Sequence, residues 1–338
     1  MTPPLVSVAM ATYNGERFLR EQLDTIYEQT WTDLEVVVSD DRSTDGSVEI
    51  LEEYRSRRGL RYSVSEERLG LVRNFERAIS LCRGELVTLS DQDDLWRPER
   101  VERLVAGLEP DYSLAYASSR DFIDVDGRLT VDRASASIRD WARHHGSGRV
   151  SARLLAENWV VSHGMLFRRE VAARALPIPP HQPYHDAWIA LVASTLGAGI
   201  RFVDEPLTTY RRHPASYTYQ ELPDGRKRAR RLLGSQGFGA RWRARCAAEI
   251  ARIEDAERLA LSEETSACAR ALLRYYRSGR AGRIDLKAAW LGLRLAPLFS
   301  THHPGSGRWR MALKGLVGGP LAALGATAAA STETAEGA

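Results

Sequence analysis

Three aspartates, Asp91, Asp93 and Asp94, fall within four consecutive positions of the stretch ELVTLSDQDDLW, directly after a run of strand-forming residues. Carboxylates this close repel one another, so without a cation among them some must hold a proton at neutral pH. Three kinds of chemistry suit such a cluster. Aspartates at a strand end can cap the next helix, here one beginning near Pro98. An Asp-x-Asp pair can serve an aspartyl-phosphate phosphatase, with Asp91 as nucleophile and Asp93 as acid/base. That chemistry asks for a partner lysine, and the only lysines are Lys227, Lys287 and Lys314, none in a suitable setting. The third possibility is a hard divalent cation, Mg2+ or Mn2+, which takes oxygen ligands and shares its shell with phosphates.

The elements around the cluster alternate. Buried strands are predicted at 5–11, 34–40, 60–66 and 85–91, and amphipathic helices at 15–29, 44–57, 72–82 and 98–108, the last with Pro98 in its first turn. This rhythm specifies a parallel sheet, whose ligand sits at the carboxyl ends of its strands. The polar stretches TYNGE, SDDRSTDGS and SDQDD all fall at such ends. Beyond about residue 110 the rhythm loosens. Residues 113–128 read as two strands around a DG turn, 163–176 as a strand entering a helix, 184–197 as a buried helix and 199–213 as another strand region. From about 225 the pattern is helical, and the last twenty or so residues are low-complexity.

Taken in order, ATYNGERF, SDDRSTDGS, RLGLVRNF and SDQDDLW resemble the glycosyltransferases of family 2, of GT-A type. FRREV, HDAWIALVAS and DEPLTTYRRH are similar to the rhamnosyltransferase-like branch of that family, so the resemblance covers residues 5 to about 215. It implies an α/β fold with a mixed, mostly parallel sheet flanked by helices, a catalytic domain over 1–215, a basic helical C-terminal extension over 216–317, and a disordered tail over 318–338. It also implies an inverting, metal-dependent transfer from a nucleotide diphosphate sugar, dTDP-rhamnose first and a UDP-hexose as the alternative. The acceptor would be a surface-polysaccharide or lipid-linked glycan.

The roles carried over by the resemblance are specific. Thr12, Tyr13 and Asn14 would line the base and ribose pocket, and Asp40 or Asp41 would accept the pyrimidine N3–H. Arg68 and Asn74 would lie near the nucleotide. Asp91 would contact ribose or metal, and Asp93, Asp94 and His213 the metal, with the direct ligand among the first two left open. Asp186 would be the general base, with helix capping as its ordinary alternative. Arg211 and Arg212 would hold the diphosphate, and His163 would face the acceptor. A non-catalytic nucleotide-sugar-binding protein could keep the aspartates yet lack a base, and Asp186 argues against it.

Bulk properties narrow the setting. Cys82, Cys246 and Cys268 are too widely spaced for a disulfide framework or a zinc site, and MTPPLVSVAM lacks the basic start of a signal peptide, so a cytoplasmic protein is expected. The formal net charge of +3 hides an asymmetry, because residues 226–245 carry eight Lys or Arg and no acid. No nucleic-acid module accompanies these charges. The stretch LKAAWLGLRLAPLF, 286–299, mixes apolar and basic residues in a way that suits peripheral contact with an anionic membrane, on its inner face.

Overall fold

The computed structural model describes residues 3–123, 142–143, 146–214, 216, 238–281 and 290. They fall into two compact units, one of residues up to Leu154 with Asn158–His213, the other of Leu155–Glu157 with the residues from Pro214 onward.

In the first unit, β1 (Val6–Thr12), β2 (Leu34–Asp40), β3 (Arg61–Val64) and β4 (Leu86–Ser90) alternate with α1 (Glu16–Tyr27), α2 (Ser47–Arg58) and α3 (Leu71–Ser80). Every residue of β1 is buried, which is why it reads as a continuous run rather than an alternation: helices cover both faces of a parallel sheet. Helix α1 forms because Phe18, Leu19, Leu23 and Ile26 share one face at helical spacing, and that face packs into the core under β1 and β2. Helix α3 likewise buries Phe75, Ala78 and Ile79.

After β4 come β5 (Leu95–Trp96), α4 (Arg100–Ala106), β6 (Leu114–Ile123), α5 (Ser151–Ala156), β7 (Met165–Arg168), α6 (Arg169–Ala175), α7 (His185–Ser194) and β8 (Ile200–Arg212). The eight strands run in the order β3-β2-β1-β4-β7-β6-β8-β5. Neighbours β3 through β4 are parallel, as are β6 and β8. Strand β7 runs antiparallel to both β4 and β6, and β5 antiparallel to β8. The sheet is therefore mixed and mostly parallel.

Two expectations change. Residues 113–128 do not form two strands: β6 runs through Ile123, and the Asp126-Gly127 turn lies outside the described residues. The acid loop also feeds a short strand that its length concealed. Leu95 pairs with Thr209 and Trp96 with Thr208, at the far end of the strand order. Residues 91–94 can span that order only if the sheet curls, because four strand spacings in a flat sheet come to about 19 Å, at the limit of so short a segment. The register shift between β6 and β8 at Ala117–Ser119 is the kind of bulge that bends a ribbon in this way.

In the second unit, α8 (Phe238–Ala256) buries Cys246, Ile250, Ile253 and Ala256, and α9 (Glu263–Ala281) buries Cys268, Leu272, Leu273, Tyr275 and Tyr276. Ser262 caps α9 by accepting the Thr265 N–H at 3.2 Å. All three cysteines are free and buried, acting as small apolar fillers. Among the described residues no helix is long and apolar enough to cross a membrane.

Candidate functional site

Strand order reverses between β1 and β4: β2 and β3 extend from one side of β1, and later strands from the other side of β4. The crevice at such a switch point is where open α/β sheets bind ligands. Here the two strand ends are tied by one side chain. Gln92 accepts the Thr12 hydroxyl at 2.6 Å and the Tyr13 N–H at 2.8 Å, and returns a bond to the Tyr13 carbonyl at 3.2 Å. Gly15 is required beside it, because a Cβ there would collide with the Gln92 amide oxygen.

The loop after β1 is also clipped to the loop after β2. Asn14, at φ 48°, accepts the Thr44 N–H at 2.8 Å while its own N–H donates to Ser43 Oγ at 2.9 Å. Asn tolerates that left-handed backbone better than most residues. Asp45 takes the Glu16 N–H at 3.0 Å and the Ser47 hydroxyl at 2.6 Å, so it organises the turn. Asp41 reaches a third loop, accepting the N–H groups of Leu69 and Gly70; Gly70 sits at φ 79°, where a side chain would be strained. Arg68, from the same loop, lies over the Tyr13 ring at 3.6 Å and 3.8 Å from Asp41.

The carboxylates of the acid loop take different partners. Asp91 accepts the Ser162 hydroxyl at 2.9 Å. Asp93 meets His213 Nε2 at 2.9 Å. Asp94, 1% exposed, accepts the Arg211 N–H on Oδ1 at 3.0 Å, while its buried Oδ2 has no hydrogen-bond partner and lies 3.9 Å from His163 Nδ1. Burial and the Asp93 charge push Asp91 up to about 7, and burial with Asp93 and Asp91 holds Asp94 well above the carboxylate range. A cation would relieve both. Ligand atoms of Asp91, Asp94 and His163 lie within 4.8 Å of one another, so the residues present fit a divalent metal: oxygens and an imidazole around an orphaned carboxylate oxygen.

Ser162 links this cluster to α7. Its hydroxyl binds Asp91 while its N–H donates to Asp186 Oδ2 at 3.3 Å. Asp186 Oδ1 accepts the Ala187 N–H at 2.6 Å. Burial raises Asp186 to about 6 against the lowering effect of those two amides. The helix itself begins at His185 with Tyr184 at its cap, so Asp186 sits inside the first turn and not at the capping position.

Residues 7–176 match the family model described as glycosyl transferase family 2. The chain belongs to that family. An uncharacterized glycosyltransferase of Nostoc sp. is 27% identical over 62% of this chain and 66% of its own. Chondroitin synthase of Escherichia coli is 34% identical over 37% of this chain and 18% of its own. The chain thus spans just under two thirds of the length of the Nostoc relative. Among solved structures, S. aureus TarS 1-349 in complex with UDP-GlcNAc aligns over 94% of this chain and 90% of that one, with TM-score 0.56 and 17% identity. The mannosyltransferase PcManGT from Pyrobaculum calidifontis, in complex with GDP-Man and Mn2+, aligns over 96% and 87%, with TM-score 0.53 and 19% identity. The fold is GT-A.

Several family 2 expectations are corrected by these contacts. Asp40 is fully buried, and both its oxygens accept from Ser43, at 2.8 and 2.6 Å, so it builds the turn; Asp41 is the acid beside Tyr13 and Arg68. Asn74 is buried and donates to the Thr12 carbonyl at 3.1 Å, bracing the loop from behind. Thr12 is buried against Gln92. Arg211, expected at a diphosphate, donates to the Asp93 carbonyl at 2.9 Å and Glu21 at 2.6 Å with Phe18 under its guanidinium, so it holds the acid loop. His163, expected at the acceptor, is buried, stacked on Tyr210, and directed to Asp94. The Arg212 side chain lies outside the described residues. Trp96 and Trp188 are core residues, as their positions after apolar runs suggest.

Sequence reasoning missed Gln92, Ser162 and Arg100. Gln92 lay inside a motif read for its charges alone. Arg100 had a legible signal: it shares the face of α4 with Val101 and Leu104, both buried, although charged.

Proposed function

We propose that this chain transfers a sugar, with inversion, from a nucleotide diphosphate donor to a hydroxyl of a surface-polysaccharide or lipid-linked glycan. One observation carries the reading: Ser162 joins Asp186 and Asp91 through its N–H and hydroxyl, so a carboxylate raised to about 6 stands one residue away from an acid cluster built for a cation. Such a value suits a general base at neutral pH, because the group is ionised yet still basic. Asp186 takes the proton of the acceptor hydroxyl as that oxygen attacks the anomeric carbon, opposite the leaving diphosphate. A single displacement inverts the centre.

Mg2+ or Mn2+, when bound, supplies Lewis-acid neutralisation of the leaving diphosphate. Asp94, with its orphaned oxygen, and the converging Asp93–His213 pair would hold it, with Asp91 and His163 alongside. Tyr13, Arg68 and Asp41 form the nucleotide end: a ring, a cation stacked on it, and an acceptor carboxylate for a pyrimidine N–H. The similarity of FRREV, HDAWIALVAS and DEPLTTYRRH to rhamnosyltransferases supports dTDP-rhamnose as the first donor to test. A UDP-hexose is the alternative. Peripheral contact with an anionic inner membrane surface rests on residues 286–299, of which only Trp290, 55% exposed, is described.

The deciding experiment is a donor screen that follows release of free nucleotide and product from a panel of nucleotide sugars with Mn2+ or Mg2+. Turnover of dTDP-rhamnose above UDP- and GDP-hexoses supports the donor. Release of phosphate from small phosphate esters without any sugar transfer would return the phosphatase reading.

A further inference from the structure

Arg100 is fully buried, yet it is on no expected list of functional groups. Its Nε donates to Thr208 Oγ1 on β8 at 3.1 Å, one terminal nitrogen to Thr88 Oγ1 on β4 at 2.9 Å, and the other to the His163 carbonyl at 2.8 Å. The Trp96 ring lies 3.7 Å beneath its guanidinium. Thr208 passes the connection on by donating to the same His163 carbonyl at 3.0 Å. These partners belong to the segments that deliver the acid site. Strand β4 leads into Asp91, β5 follows Asp94, β8 ends in Arg211–His213, and the 162–164 turn carries Ser162 and His163. A guanidinium is suited to this because its donors are fixed in one plane and diverge, whereas an ammonium has one nitrogen to share.

We infer that Arg100 is a positioning residue that sets the alignment of the carboxylate cluster and His163, and through them the affinity for the divalent cation. The inference rests on the metal-dependent reading above. A groove-lining or nucleotide-binding role is excluded by its complete burial, and a purely packing role would not need three polar partners on three elements.

The test measures Mn2+ binding to the full chain, by calorimetry and by loss of the free-ion paramagnetic resonance signal, without any sugar donor. Two variants are compared. Arg100→Lys keeps a cation but cannot span three divergent acceptors, and Thr208→Val keeps the shape while breaking the relay to His163. Residues that orient metal ligands typically contribute about 10- to 100-fold in affinity. We expect about tenfold weaker binding in Arg100→Lys and a smaller loss in Thr208→Val. Transfer should then need correspondingly more Mn2+ while its rate at saturating Mn2+ stays near that of the wild type, a split that general loosening would not give. Either variant binding Mn2+ more than about threefold more weakly, with that split, supports the inference. Both variants binding within about threefold of the wild type, or a saturating rate that falls with affinity, overturns it. Failure of the wild type to bind Mn2+ at all would instead sink the metal reading on which it depends.

Discussion

Replacing Asp186 by Asn separates basicity from structure only once its two amide partners are considered. The carboxylate accepts the Ala187 N–H on one oxygen at 2.6 Å and the Ser162 N–H on the other at 3.3 Å. An Asn side chain has one acceptor oxygen, so its NH2 must face an N–H that was bonded. Leaving a buried donor unpaired costs about 1–3 kcal/mol, which lowers the melting temperature. Losing the base removes a rate factor of about 10²–10⁴, or roughly 3–5 kcal/mol of barrier. The two effects are read by different instruments: melting for the first, kcat at saturating donor and acceptor for the second. Donor affinity should stay within about threefold, because Asp186 is placed on the acceptor side of the chemistry. The wild-type pH profile is an independent check. With Asp186 at about 6, kcat should fall as pH drops through 6, because protonation removes the base; at pH 5 only about a tenth of the enzyme would carry an ionised Asp186. An Asn variant that transfers sugar within about threefold of the wild type, or a wild-type rate that is flat from pH 7 to 5, refutes the assignment.

Asp93→Ala and Asp94→Ala should each weaken Mn2+ binding at least about tenfold, and chelation should abolish transfer; calorimetry and a chelator titration read this. Gln92→Leu removes the clasp between the loops after β1 and β4, and nucleotide binding should weaken about tenfold, roughly 1.4 kcal/mol, by fluorescence titration. Arg68→Ala loses an exposed stack on Tyr13 of about 0.5–1 kcal/mol, so nucleotide affinity should fall only a few-fold. Metal-free protein should melt higher as pH is lowered from 8.5 to 6.5. Asp91 and Asp94 have folded pKa values raised above the unfolded range, so the folded state takes up protons there, and a group of that kind loses its stabilising effect as pH rises through the folded value. Below about 6.5 His185, which burial lowers to about 3, acts with the opposite sign and should flatten or reverse the trend. Saturating Mn2+ should abolish the rise above pH 6.5.

The parallel half of the sheet was readable because its strands are buried on both faces and its helices keep strict apolar spacing; β1 and α1 lie within three residues of their sequence-based bounds at either end. Strand β5 was not, because two residues carry no periodicity and their pairing is decided by the distant bend in β6 and β8. The site divided in the same way. Motifs identified which residues gather at the switch point, since strand ends are fixed by topology. They could not say which side chains turn inward. Asp40 and Asp41 are neighbours with the same chemistry, yet one closes a turn on Ser43 and the other reaches Leu69 and Gly70, because successive residues at a strand end point to opposite sides.

That last point explains how a chain can bury so many acids without collapsing the site. Asp40, Asp41 and Asp45 are each satisfied by neutral donors, N–H groups and hydroxyls, which screen a carboxylate without cancelling its charge. Asp94 is different: one oxygen has a single N–H, the other has none, and the nearest permanent cations on its element and on β8 are Arg100 and Arg211, whose guanidiniums are already held by Thr88, Thr208, the carbonyls of His163 and Asp93, and Glu21. Neither arginine can turn to form a bidentate pair with Asp94 without giving up several bonds in the dry interior. The site is therefore electrostatically underfilled by construction, and an incoming divalent ion meets a charge deficit that no side-chain rearrangement of the protein can supply.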